Sequence, residues 1–89
     1  MSTTAQLQAW QSATNRIALE LVAHESARWT VDLLDINGRR IDTWFAGDMS
    51  AGETREINAD VDFLPSGIYF VQFSNGTTAI TQRLPIVRN

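Results

Sequence analysis

Few residues in this sequence could do chemistry: His24, the acidic pair Asp32 and Asp42, and the tryptophans Trp10, Trp29 and Trp44. His24 is the only histidine and stands beside Glu25-Ser26. It has no partner set for a metal site or a catalytic triad. Asp32 and Asp42 would face each other across a hairpin and could draw a cation. Calcium takes six or more oxygens, so two solvated carboxylates are the plainer expectation. Sugar rings stack on exposed indoles. That makes Trp44, on the mostly polar side of the hairpin, a candidate carbohydrate platform, with Trp10 and Trp29 as additions; packing against a neighbouring sheet explains such a tryptophan equally. There is no cysteine, hence no disulfide, thiolate zinc site or thiol nucleophile. Neither a Ser/His/Asp set nor a phosphate loop is present. The expectation is a protein that is not an enzyme and uses no metal or cofactor. Asn75-Gly76-Thr77 matches a glycosylation sequon, which turn chemistry explains as well.

The 89 residues make one small domain. A chain of this size buries only around 60–65% of its unfolded surface, so its core must be economical. Seven basic and ten acidic residues give a net charge of −3 without clustering. That excludes the electrostatic footprint of a nucleic-acid or anionic-membrane binder. Residues 1–15 hold no apolar run of signal-peptide length, and no stretch approaches a membrane span, so no membrane insertion is expected. Two origins fit: a cytoplasmic protein, or a domain of a longer secreted chain.

The elements that must position these residues read as strands. Residues 1–14 are rich in Ser, Thr, Gln and Ala and read as a lead-in segment, partly ordered, with Trp10 tucked onto the domain that follows at 15–89. From Ile17 to Ala23, alternation puts Ile17, Leu19, Leu21 and Ala23 on one face. Residues 28–46 read as a hairpin with a three-residue loop, Ile36-Asn37-Gly38, in which Gly38 takes the left-handed conformation and Asp35 pairs with Arg39. Trp29, Val31, Leu33, Ile41, Thr43 and Phe45 then share the inner face. Asp32 falls opposite Asp42, a like-charge pair costing a few tenths of a kcal/mol, up to ~1. Residues 47–52 read as a loop and 53–58 as a short strand near an edge, with Ile57 inward. In Leu64-Pro65-Ser66-Gly67, proline and glycine suit a tight turn. Ile68 to Phe73 is apolar on both alternations, so this strand is central and Phe70 is expected to be buried. A turn at Ser74-Asn75-Gly76-Thr77 leads to a last strand at 77–87, which Pro85 keeps at an edge. Six to seven short strands with turn signals between them give an all-β fold, a small antiparallel Ig-like β-sandwich.

Two stretches go beyond generic sandwich grammar. Val31-Asp32-Leu33-Leu34-Asp35-Ile36-Asn37-Gly38-Arg39-Arg40-Ile41 resembles the Asp-x-x-Gly-Arg hairpin of type A C-terminal sorting domains of the bacterial type IX secretion system. Leu64-Pro65-Ser66-Gly67-Ile68-Tyr69-Phe70 is similar to that family's Leu-Pro-Ser-Gly-aromatic strand. Ser50-Ala51-Gly52-Glu53 fits its small-residue turn, and the spacing matches from about Asn15 to Asn89. The chain has Gln11-Ser12 where the family has Asn-Pro, and Arg83, Pro85 and Arg88 where it closes on a lysine-rich strand. The resemblance implies a non-catalytic C-terminal domain fused behind a cargo domain. It would be read in the periplasm by the outer-membrane export machinery and handled by a surface-anchoring peptidase, so the protein ends at the cell surface or outside the cell. The label would comprise Gly38, Arg39, Pro65, Ser66, Gly67, Arg83 and Arg88. It also implies coding sequence upstream of Met1. Two other readings stay open: a structural Ig-like module akin to those of flagellar hook-capping proteins, and a carbohydrate-binding sandwich using Trp44.

Overall fold

A computed structural model describes residues 5–87. Seven strands follow in order: β1 (Ala5–Ala13), β2 (Arg16–Ala23), β3 (Ala27–Leu34), β4 (Arg40–Met49), β5 (Thr54–Asp60), β6 (Gly67–Ser74) and β7 (Ala79–Ile86). They form two antiparallel sheets, β1-β2-β5 and β4-β3-β6-β7. The result is the small Ig-like sandwich that the strand grammar implies.

The inner faces follow from period-two alternation. Ile17, Leu19, Leu21 and Ala23 are buried from one sheet, and Trp29, Val31, Leu33, Tyr69, Val71 and Phe73 from the other. Trp29 stacks on Phe73 with ring centroids 4.5 Å apart, and its indole N–H donates to the Glu25 carbonyl at 3.2 Å. The alanines Ala5, Ala9, Ala23 and Ala59 are also buried. Small residues on the three-stranded sheet leave room for large rings on the other, as close packing requires.

The segment read as a lead-in is a full strand from Ala5 onward, β1, paired with β2 from Ala5↔Ala23 to Ala13↔Arg16. Trp10 on it is 47% exposed rather than tucked in. The margin of β1 is joined to β7 by two glutamine side chains that imitate peptide groups. Gln82 accepts the Ala9 N–H at 3.0 Å and donates to the Ala9 carbonyl at 2.7 Å. Gln11 does the same for Val87, at 3.0 and 2.8 Å. At the opposite margin Arg55 lies 5.0 Å over the Phe45 ring and bonds Glu53, whose carboxyl it holds below the ordinary value.

The β3–β4 hairpin has the expected loop. Asp35 N–H donates to the Arg39 carbonyl at 2.9 Å, Gly38 N–H to the Asp35 carbonyl at 3.0 Å, and Gly38 has φ +83°. Two further irregularities then shift β4, so that Leu33 faces Asp42, Asp32 faces Thr43 and Val31 faces Phe45. The expected Asp32–Asp42 opposition is therefore absent. Thr43 hydroxyl donates to Asp32 at 2.7 Å instead, replacing a repulsion with a hydrogen bond. The same shift exposes Thr43, which was expected inside. The 47–52 loop is also shorter than expected, because β4 runs on to a buried Met49.

The turn before β6 closes earlier than Pro65 and Gly67 suggest, with Leu64 N–H donating to the Val61 carbonyl at 3.0 Å. Val61 and Leu64 are buried there. Strand β6 is central, between β3 and β7. Phe70 is nevertheless half-buried rather than buried, because it faces outward from a sheet that packs on one side only.

Replacing Gly38 with valine is expected to destabilise the domain by roughly 1–2 kcal/mol or more, since a β-branched residue resists positive φ. An added Cβ would meet nothing within 4 Å, so the penalty is one of backbone alone. A melting curve identical to the parent's would contradict that conformation.

Candidate functional site

The sheet register gathers segments distant in sequence at one pole of the sandwich. Leu34 pairs with Phe70, and Gly67 with Ile86. The 35–39 loop, the start of β6 and the end of β7 therefore lie together. Gln11 brings β1 to the same pole through its bonds to Val87.

Each family-like motif has a folding role here. Asp35 Oδ1 accepts the backbone N–H groups of Asn37 and Arg39, both at 2.9 Å. The Arg39 N–H is the main cause holding the Asp35 carboxyl below its ordinary value. Asp35 thus organises the loop as a side-chain turn, and Gly38 supplies the one backbone conformation it needs. The Arg39 guanidinium approaches Asp35 at 3.5 Å but remains 81% exposed. In the second motif Leu64 is buried, and Tyr69 hydroxyl donates to the Pro65 carbonyl at 2.8 Å. That bond fixes the corner by which the chain enters β6, leaving Pro65, Ser66 and Gly67 exposed.

Arg83 is exposed on β7, directly across from Phe70. Arg88 lies outside the described residues. Gly38, Arg39, Pro65, Ser66 and Gly67 are thus brought to one pole, and Arg83 lies on the adjoining sheet face.

The tryptophans do not share a face. Trp29 is in the core, and Trp10 is exposed on β1. Trp44 is half-buried and packed against the core, with its indole N–H buried and unpartnered. His24 is exposed in the 24–26 loop at the opposite pole. Among the described residues no group of three or more His, Cys, Asp or Glu could hold a metal ion. Asn75 spends its side chain on the β6–β7 turn, accepting the N–H groups of Thr77 and Thr78 at 2.9 and 2.7 Å.

Sequence reasoning missed the residues beside Arg83 on the outer face. Leu34 and Phe70 are half-buried neighbours, flanked by Arg40 on β4 and Arg83 on β7. No local motif signals them, because the grouping exists only once four strands are in register.

A sequence model of the secretion-system C-terminal sorting domain matches residues 12–87, which takes in β2 through β7. No curated protein matches the chain. Domains of this family are C-terminal sorting signals of type IX secretion, and they take a cargo protein to the cell surface or the extracellular space. With the match spanning nearly the whole sandwich, the chain belongs to the family of type IX secretion C-terminal sorting domains.

Proposed function

We propose that the hairpin pole is the surface by which the outer-membrane export machinery holds this domain, and that the domain acts by being bound, without catalysis of its own. One observation carries the reading. Gly38-Arg39, Pro65-Ser66-Gly67 and the end of β7 converge at a single pole, although the sequence separates them widely. The polar groups there stay exposed while their backbones are fixed by Asp35 and Tyr69. A rigid, exposed surface loses little conformational entropy on binding. In this reading the domain follows a fused cargo, is read in the periplasm, and meets a surface-anchoring peptidase after export. Arg83, on the adjoining face of β7, and Arg88 would add charge to the same recognition.

The test is a folded reporter carrying a secretory signal, fused ahead of this chain in a bacterium with type IX machinery. Arg39→Ala is expected to lower surface exposure of the reporter by about 3- to 10-fold, the loss of one charge-assisted contact. The melting temperature should stay within a few degrees, because the Arg39 N–H that Asp35 accepts survives the change. Undiminished export of both Arg39→Ala and Arg88→Ala would remove the pole from recognition.

A further inference from the structure

We infer that the outer face of the four-stranded sheet carries a second recognition element, the cross-strand row Arg40–Leu34–Phe70–Arg83, built to take an extended protein segment with carboxylates on either side of an apolar residue. The inference rests on the sorting role and shares Arg83 with the proposed pole, but its other members, Arg40, Leu34 and Phe70, lie on the sheet face beside it.

Register makes the row. Arg40 pairs with Leu34, Leu34 with Phe70, and Phe70 with Arg83, so the four side chains stand abreast on four adjacent strands. Their face is the outer one. In β3 the buried positions are Trp29, Val31 and Leu33, and in β6 they are Tyr69, Val71 and Phe73. Leu34 and Phe70 alternate with these and are half-buried. Ile68 and Pro85, also paired, extend the apolar strip toward the pole. Further along the face the residues are polar: Thr30 pairs with Ser74, and Asp32 with Gln72. The apolar ground is thus confined to the part that the arginines flank.

Both arginines are exposed, and neither forms an ion pair among the described residues. The nearby carboxylates are otherwise engaged or unengaged with them. Asp35 is held by the loop, Asp32 by Thr43, and Asp42, two residues from Arg40, accepts the Thr43 N–H and makes no ion pair among the described residues. In a chain of net charge −3, two guanidinium groups with no ion pair among the described residues bracket one apolar strip. The charge complement of that arrangement is an acidic partner.

Spacing selects the kind of partner. Three inter-strand steps separate the outer strands, roughly 14 Å. Along an extended peptide, side chains i and i+4 lie on one face about 13–14 Å apart, with i+2 between them. Acidic residues at the two ends meet the arginine forks in bidentate geometry, and the middle residue rests on Leu34 and Phe70.

The probe is a blocked five-residue peptide, Glu-Thr-Val-Thr-Glu, titrated into the purified chain and followed by amide chemical shifts. Shifts centred on residues 34, 40, 70 and 83 are expected, with affinity reduced at least about 5-fold by Gln at both ends or by the double variant Arg40→Glu/Arg83→Glu. In the reporter fusion, the double variant is expected to lower surface exposure by about 10-fold with an unchanged melting temperature. Arg28→Glu, the same charge change at the far end of β3, should have no effect. No peptide binding, equal binding of the Gln peptide, or equal loss from Arg28→Glu would overturn the row. So would binding of phosphatidylglycerol vesicles that the double variant abolishes while the peptide gives none, since the arginines would then serve a lipid. A parent fusion that stays in the periplasm counts against the sorting role, and the peptide titration still decides the row.

Discussion

Truncation after Arg83 is expected to leave a chain that neither melts cooperatively nor reaches the cell surface. The cut removes Leu84 and Ile86, which are 2% and 1% exposed. Losing a large buried aliphatic side chain costs about 2–5 kcal/mol, and a small domain has only about 5–15 kcal/mol in all. It also removes the partners of Gly67, Ile68 and Tyr69 in the ladder, leaving the start of β6 unpaired on that side. Gln11 loses the Val87 peptide group that it grips, so the β1 margin loosens too. Circular dichroism during heating and protease access to the reporter measure the two losses. A truncated chain with a single sharp transition would show that β7 is dispensable to the fold.

Leu33→Ala is expected to cost about 2–4 kcal/mol and lower the melting temperature by roughly 10–25 °C. Leu33 is fully buried and sits between Val71 on β6 and Asp42 on β4. Its inward direction depends on the register of the β3–β4 hairpin, since a one-residue slip would turn it to solvent. A cost below about 1 kcal/mol would mean that the slipped register is the real one.

What could be read from the sequence was whatever one residue type alone can satisfy. Large aliphatics against polar residues mark β2 and β3 because only the inner face rewards them. The 36–38 loop is readable because glycine alone takes the φ of +83° at position 38 without strain. Strand β1 was obscure for the opposite reason. Its inward residues include Ala5 and Ala9 and its outward ones Gln6 and Gln8, residues with weak strand preference, so true alternation resembled a polar tail. The bulges of β4 were hidden because each adds a residue without changing composition. The site divides likewise. Asp35, Gly38, Leu64 and Tyr69 stand out because the fold needs them, and their neighbours Arg39 and Ser66 were carried along. Arg40, Leu34 and Phe70 belong to three different strands, and only pairing puts them beside Arg83.

The most direct measurement of the sorting role compares one reporter fusion in two otherwise identical bacteria, one with intact type IX machinery and one lacking its outer-membrane component. The fraction of reporter open to added protease on whole cells is read in each. Exposure in the first strain and retention in the second is the expected result. Retention in both, or exposure in both, would contradict it.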